Sequence, residues 1–365
     1  MDGQRALIGA SAENACGVNS GAAYIFERDS EKDLWQRVAR LVASDCEPGD
    51  FFGRSLALSG DRALVASAES FFDAERSNIV YVFERDSISG AWNETTRLTA
   101  ESRHEEGAFG TSVSLDGDRA LVTTSGDPST GRHGGAAYVF HYESSVRSWR
   151  REARLVPADT APGEIFGGNG ALQGDRAIVA ASTYFRYDPG SIYTFERDPY
   201  GVWREKDRIP NISDFFISLD LDGDLLLVGE SKGERRGAGA ASLFKRIGGG
   251  WERIQRLRPV APYDHGAFGT TVSLDADCAL VVGYDEQLGL SRNIDRVVFV
   301  FTRDPDTGTF RQSRVIDIGH VSFGSSVDHK GPFAVIGRAS EQVAGAAYVA
   351  RLANGLPESP TGEMD

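Results

Sequence analysis

Residues 109–155 read FGTSVSLDGDRALV, a variable loop, GGAAYVF, a turn and SWRREARL, and nearly all the rest of the chain is a degraded copy of them. The inner part recurs as FGRSLALSGDRALV from Phe52, FGGNGALQGDRAIV from Phe166 and FGTTVSLDADCALV from Phe268. Looser copies are FFISLDLDGDLLLV from Phe215 and FGSSVDHKGPFAVI from Phe323. A repeat of this size constrains the fold more than composition does, because one unit cannot bury its own apolar face and must stack on its neighbours. A length of 365 residues, which otherwise suggests two or three domains, therefore reads as one array.

The five tryptophans, Trp35, Trp92, Trp149, Trp203 and Trp251, all fall at one phase of the repeat, and Phe310 takes that place in the next copy. A residue confined to one phase packs a recurrent site, so these side chains read as structural. Within a copy the pattern is four short strands. FGTSVSL alternates as a strand does, and Asp116-Gly117-Asp118 is a tight-hairpin signal before the apolar run RALVTT. After a loop of variable length come AAYVF and, past a turn, a fourth strand opening on tryptophan. Glycines of FG and GGAA recur at one phase, where backbones approach closely. Helix-period stretches are absent.

Seven copies of the second and third strands, with units of about fifty residues, predict an all-β, seven-bladed β-propeller of four-stranded antiparallel blades. The expected repeats run 2–50, 51–107, 108–164, 165–213, 214–266, 267–320 and 321–352, followed by a loose, polar tail at 353–365. The first copy lacks its inner strand, and the last lacks a recognisable outer one. FG…GAAYVF in seven copies resembles the FG-GAP repeat family, known from the propeller of integrin α-subunits; the tandem type with DGDRALV and GAAYVFER is the nearest form. The resemblance covers 2–352 and implies the propeller. It departs from the integrin-like form at the first hairpin, where a long calcium-binding loop is replaced by SGDR, DGDR, QGDR or DADC. Calcium takes six to eight oxygens, which so short a turn cannot supply, so no metal and no cofactor are expected, including at Asp220, Asp222 and Asp224.

A net charge of −14 excludes a phosphate-backbone partner, which wants a basic stripe. No apolar run approaches the length of a membrane span, so no transmembrane segment is expected. Cys16, Cys46 and Cys278 show no metal-ligand spacing. Cys16 and Cys46 lie in loops on one face of the first unit, which leaves a disulfide open.

Length variation concentrates in the loops between strands two and three and in the blade-to-blade connections, and a rigid scaffold tends to carry function in such loops. Candidate ligand-binding residues there are Phe71 and Phe72 in copy two, Arg132 and His133 in copy three, the run Tyr184, Phe185, Arg186 and Tyr187 in copy four, Tyr284 in copy six, and His104 and His265 in equivalent connections. Aromatic faces edged by charged groups suit a sugar or peptide. No nucleophile or metalloprotease motif occurs, and no catalytic residue is assigned. The expectation is thus a non-catalytic propeller, extracellular or at a cell surface, that binds a protein or glycan. The alternatives are a structural subunit bound to other subunits of a larger assembly, and a polysaccharide lyase or hydrolase.

Overall fold

Ser59-Gly60-Asp61-Arg62 and its counterparts turn the chain back in two residues. The central glycine sits in the left-handed region: φ is 57° at Gly60, 57° at Gly117, 56° at Gly174 and 58° at Gly223. That is the hairpin geometry whose twist matches flanking strands. Each such hairpin opens a blade. The computed structural model describes residues 1–67, 79–100, 108–125, 134–159, 164–183, 189–212, 217–231, 239–260, 268–285, 295–317, 323–339, 345–352 and 362–364.

The strands form seven sheets arranged as a β-propeller. Blade one has three strands, β1 (Arg5–Ala10), β2 (Ala22–Asp29) and β3 (Leu34–Leu41). Blade two follows as β4 (Ser55–Ser59), β5 (Arg62–Ala66), β6 (Val80–Arg85) and β7 (Trp92–Leu98), and blade three as β8 (Phe109–Asp116), β9 (Arg119–Thr124), β10 (Ala136–Glu143) and β11 (Ser148–Leu155). Blade four is β12 (Glu164–Gln173), β13 (Arg176–Thr183), β14 (Gly190–Arg197) and β15 (Trp203–Ile212). Blade five is β16 (Ile217–Asp222), β17 (Leu225–Glu230), β18 (Ala240–Ile247) and β19 (Gly250–Leu257). Blade six is β20 (Val272–Asp275), β21 (Cys278–Asp285), β22 (Asp295–Arg303) and β23 (Phe310–Ile316). Blade seven is β24 (Phe323–Lys330), β25 (Phe333–Arg338), β26 (Ala346–Arg351) and β27 (Gly362–Met364). Neighbouring strands pair antiparallel in blades one to three and five to seven. The third and fourth strands share a register shift at one phase, between Ile25 and Phe26, Val82 and Phe83, Val139 and Phe140, Leu243 and Phe244, and Val300 and Phe301. Gly362–Met364, in the segment expected to be loose, pairs with β26 and supplies the seventh blade's fourth strand. No helix occurs among the described residues, hence none long and apolar enough to cross a membrane.

The repeat phase explains the core. In blades two, three, four and six the phenylalanine of FG packs at a steep interplanar angle on alternate aromatics of its own blade's third strand: Phe52 on Tyr81 and Phe83, Phe109 on Tyr138 and Phe140, Phe166 on Tyr193 and Phe195, Phe268 on Phe299 and Phe301. Second strands are sandwiched and apolar; Leu64, Val65, Leu121, Val122, Ile178 and Val179 are fully buried. Each such side chain contributes roughly 1.5–3 kcal/mol by leaving water. The glycine before AAY meets the next blade's FG so closely that side chains are excluded: a Cβ on Gly135 would lie 1.7 Å from the Phe166 carbonyl oxygen.

At the hairpin end, charged residues tie blade to blade. Arg5 of β1 reaches Glu27 of its own blade at 2.7 Å and Asp61 of the next at 3.0 Å. Arg62 repeats this with Glu84 and Asp118 and lies 3.9 Å from the centre of the Tyr142 ring. Arg119 does so with Glu152 and Asp175.

The chain divides into two compact units, Met1–Ala181 with Ile192–Arg208, and Ser182–Ser191 with Ile209–Asp365. The first contains blades one to three and most of blade four; the second contains blades five to seven. Within the first, Cys16 and Cys46 are joined by a disulfide, with Cα atoms 6.0 Å apart.

Candidate functional site

The first strand of a blade has only one partner within its sheet, so half of its backbone N–H groups would be unmet. Numbering the phenylalanine of FG as position one, a side chain at an even position accepts the N–H of the following position in the next blade. Ser55 Oγ takes Val113 N–H at 3.1 Å and Ser59 Oγ takes Gly117 N–H at 3.1 Å. Ser114 takes that of Leu172 at 3.0 Å and Asp116 that of Gly174 at 2.6 Å. In the second unit, Asp220 takes Leu274 N–H at 2.7 Å and Asp222 takes Ala276 N–H at 2.8 Å. Ser273 takes His329 N–H at 3.2 Å, and Asp275 takes Gly331 N–H at 2.6 Å. Alternation along a short hydrophilic strand thus becomes a belt of hydrogen bonds from blade to blade.

In blades five to seven this belt turns acidic and gathers titratable groups. Asp220 and Asp222 come from β16, Ser273 and Asp275 from β20, and Asp328, His329 and Lys330 from β24. Asp220 keeps part of its surface open to solvent, yet protein crowds its carboxylate. That desolvation, reinforced by the charges of Asp328 and Asp222 and opposed by the N–H groups of Leu274 and Leu221, pushes its carboxyl up to about 7. Asp275 goes the other way: burial opposes ionisation, but the Lys330 ammonium and the Gly331 N–H hold it below the usual carboxylate range. The same contact to Asp275 raises Lys330.

His329 is 3% exposed, and burial lowers its pKa although the neighbouring Asp328 and Asp275 oppose this. Its Nε2 lies 3.1 Å from the Cys278 carbonyl oxygen, an acceptor only, so Nε2 carries the proton. Nδ1 then accepts from Ser273 Oγ at 2.8 Å. Ser273 and His329 form a closed pair behind the acidic surface, and the Ser273 hydroxyl also lies 3.5 Å from Asp328 Oδ1. These inner strands therefore place together one carboxyl of raised pKa, the Lys330 ammonium paired with Asp275, and the carboxyl groups of Asp222 and Asp328.

Phe71, Phe72, His104, Arg132, His133, Tyr184, Phe185, Arg186, Tyr187 and His265 lie outside the described residues. Tyr284 is in β21, its backbone paired with Arg296 of β22. The acidic belt was missed because polar residues at even positions read as ordinary strand alternation. The available signal was Asp220-Leu221-Asp222 standing where copy two has Ala57-Leu58-Ser59. Among the described residues no group of three or more His, Cys, Asp or Glu is arranged to hold a metal ion.

The FG-GAP repeat model matches residues 35–83 and 92–140. No curated protein sequence matches the chain. Among solved structures, a candidate 6-phosphogluconolactonase from Bacteroides uniformis aligns with a TM-score of 0.64 at 13% identity, over 100% of this chain and 97% of the other. The periplasmic gluconolactonase of Pseudomonas aeruginosa aligns with a TM-score of 0.61 at 14% identity, over 99% and 95%. A candidate 6-phosphogluconolactonase from Bacteroides fragilis aligns with a TM-score of 0.58 at 12% identity, over 95% and 90%. At these identities the likeness shows the fold. It overturns the expectation of a non-catalytic protein- or glycan-binding propeller, together with its structural-subunit and polysaccharide-cleaving alternatives. That expectation rests on loop aromatics edged by charged groups, whereas solved structures that share the fold from end to end are named as lactonases. Two stretches of the chain, 35–83 and 92–140, thus match FG-GAP repeats, and they lie in a seven-bladed β-propeller.

Proposed function

We propose that this propeller hydrolyses a neutral sugar lactone, with Asp220 as general base. The observation that carries the reading is the Asp220 carboxyl, raised to about 7 on the inner strand of blade five. A group of that pKa takes and returns a proton at neutral pH with little penalty in either direction. The names of the solved structures with the same fold point to the same reaction class.

In the proposed reaction, ionised Asp220 removes a proton from water as its oxygen attacks the lactone carbonyl carbon. The carbonyl oxygen becomes anionic, and the Lys330 ammonium is the nearby cation suited to it. Collapse of the tetrahedral intermediate breaks the ring C–O bond, and the ring oxygen takes the proton back from Asp220. The product is the open hydroxy acid. Fixed carboxylates at Asp222, Asp275 and Asp328 repel a phosphate dianion, so the substrate class is the unphosphorylated lactone.

The disulfide between Cys16 and Cys46 supports a place in an oxidising compartment, outside the cytoplasm.

The test is hydrolysis of glucono-δ-lactone and of its 6-phosphate, followed by pH-stat with the spontaneous rate subtracted. Faster turnover of the unphosphorylated lactone, lost in Asp220→Asn, supports the reading. Absence of acceleration with either substrate sinks it, and a preference for the phosphate sinks the electrostatic argument.

A further inference from the structure

The Ser273 hydroxyl has one proton and two acceptors in reach. Its oxygen lies 2.8 Å from His329 Nδ1 and 3.5 Å from Asp328 Oδ1, and it accepts the His329 backbone N–H at 3.2 Å. With Nε2–H held on the Cys278 carbonyl oxygen, the lone pair of Nδ1 takes that proton, and the contact to Asp328 stays long. The same groups are complete with one proton more. A protonated Nδ1 donates to Ser273 Oγ, the hydroxyl turns to Asp328 Oδ1, and Nε2–H stays where it is. Every donor of the buried pair, 2% and 3% exposed, has an acceptor in both arrangements. Among the described residues, the charged groups that act on the ring are Asp328 and Lys330 of its own strand and Asp275 of β20. Lys330 is already paired with Asp275. On β21 the Cys278 thiol is kept protonated by burial, and Ala334 stands opposite His329 on β25.

We propose that Ser273 is a two-way proton switch, which couples the protonation of buried His329 to Asp328 and through it regulates the carboxyl chemistry of this site. A proton that reaches the Asp328 carboxyl passes to Ser273 Oγ as the hydroxyl's own proton passes to Nδ1. Asp328 is left ionised and hydrogen-bonded, and the imidazole becomes an imidazolium. The carboxylate of Asp328 is one of the charges that raise Asp220. A cation formed beside it offsets that effect, so Asp220 stays ionised further into acid. This consequence rests on the reading of Asp220 as general base. Lactone hydrolysis releases an acid, and the relay keeps the base working as the surroundings acidify.

The test is NMR of the isotopically labelled full chain, following the His329 ring nitrogens and the Asp328 carboxyl carbon from neutral pH into acid. The expected result is a proton on Nε2 alone at neutral pH, then protonation of Nδ1, with the Asp328 carbon inflecting at that same pH. Ser273→Ala removes the acceptor for the charged ring, so it should lower the His329 pKa by about one unit and cut the shared inflection about twofold or more. Ser273→Thr keeps a hydroxyl and should retain both. The proposal is overturned by a proton on Nδ1 alone at neutral pH, or by a ring that stays neutral until the chain unfolds in acid. It is equally overturned by a wild-type Asp328 carbon blind to the His329 titration, or by a folded Ser273→Ala that keeps the full shared inflection. If Ser273→Ala fails to fold, the wild type and Ser273→Thr decide. None of these readouts uses turnover, so a chain without lactone hydrolysis strikes the assignment of Asp220 and leaves the switch to be judged by itself.

Discussion

Leu274 donates its backbone N–H to Asp220 Oδ2 at 2.7 Å, so the carboxylate that closes one blade onto the next is also the one whose ionisation is suppressed. Structural and chemical roles meet in a single side chain, and substitutions at Asp220 separate them. Asn keeps an oxygen to accept the Leu274 N–H but cannot take a proton. Asp220→Asn is expected to retain the fold, read by circular dichroism, while lactone hydrolysis drops about 10²–10⁴-fold, the contribution typical of a general base. Asp220→Ala removes the acceptor as well and is expected to destabilise by a further ~1–3 kcal/mol.

The same group sets a pH dependence of stability. Its folded pKa lies above the carboxylate value of an unfolded chain, so the folded protein binds the extra proton between about pH 4 and 7. The contribution is fully present below about pH 4 and is lost as pH rises through about 7, with a slope of at most about 1.4 kcal/mol per pH unit. Denaturant unfolding across that window should show this decline in the wild type and a flatter profile in Asp220→Asn.

Ala276 stands where blades two, three, four, five and seven place the glycine of the first hairpin, Gly60, Gly117, Gly174, Gly223 and Gly331, and it is held at φ 47°. A left-handed residue with a Cβ costs about 1–2 kcal/mol. Ala276→Gly is therefore expected to stabilise the chain by about 1 kcal/mol, read as a higher denaturant midpoint with unchanged slope. Gly167→Ala tests the converse. With φ +89° and a Cβ 2.3 Å from the Thr124 carbonyl oxygen, it should lose at least about 2 kcal/mol.

Arg62 joins Glu84 and Asp118 and stacks on Tyr142, at the boundary of blades two and three. Arg62→Ala should cost about 1–2 kcal/mol, more than an exposed ion pair alone, because packing on the ring is lost too. Arg62→Lys should recover only part of it, since an ammonium cannot reproduce the two-partner fork. Thermal unfolding at low and high salt distinguishes the two terms; the packing part persists when salt screens the charges.

The disulfide closes a separation of 30 residues within the first unit. Replacing Cys16 and Cys46 by serine should cost about 3–4 kcal/mol on a loop-entropy account, read as early unfolding of blade one by hydrogen exchange.

The blade count and the structural tryptophan phase were legible because each is written many times, so errors in any one copy average out. The glycine contacts were legible for the same reason: a Cβ on Gly21 or Gly239 would lie 2.2 Å from the carbonyl oxygen of Phe52 or Phe268, the FG phenylalanine of the next blade. β27 was not legible, because three residues, Gly-Glu-Met, carry no strand signal and are fixed by the open edge of β26. The acidic belt was hidden for a different reason. Which residues lie beside Asp220 depends on the stacking of blades more than fifty residues apart, and only the placement of Leu274, Asp328 and His329 turns a polar alternation into a carboxyl of altered pKa.

The most direct test of the account is the pH–rate profile for glucono-δ-lactone hydrolysis after subtraction of the spontaneous reaction. The account predicts that kcat/KM rises with pH through an apparent pKa near 7 in the wild type, and that Asp220→Asn is folded, nearly inactive and without that inflection. A wild-type rate no greater than the spontaneous one, or a folded Asp220→Asn with full activity and the same inflection, would contradict it.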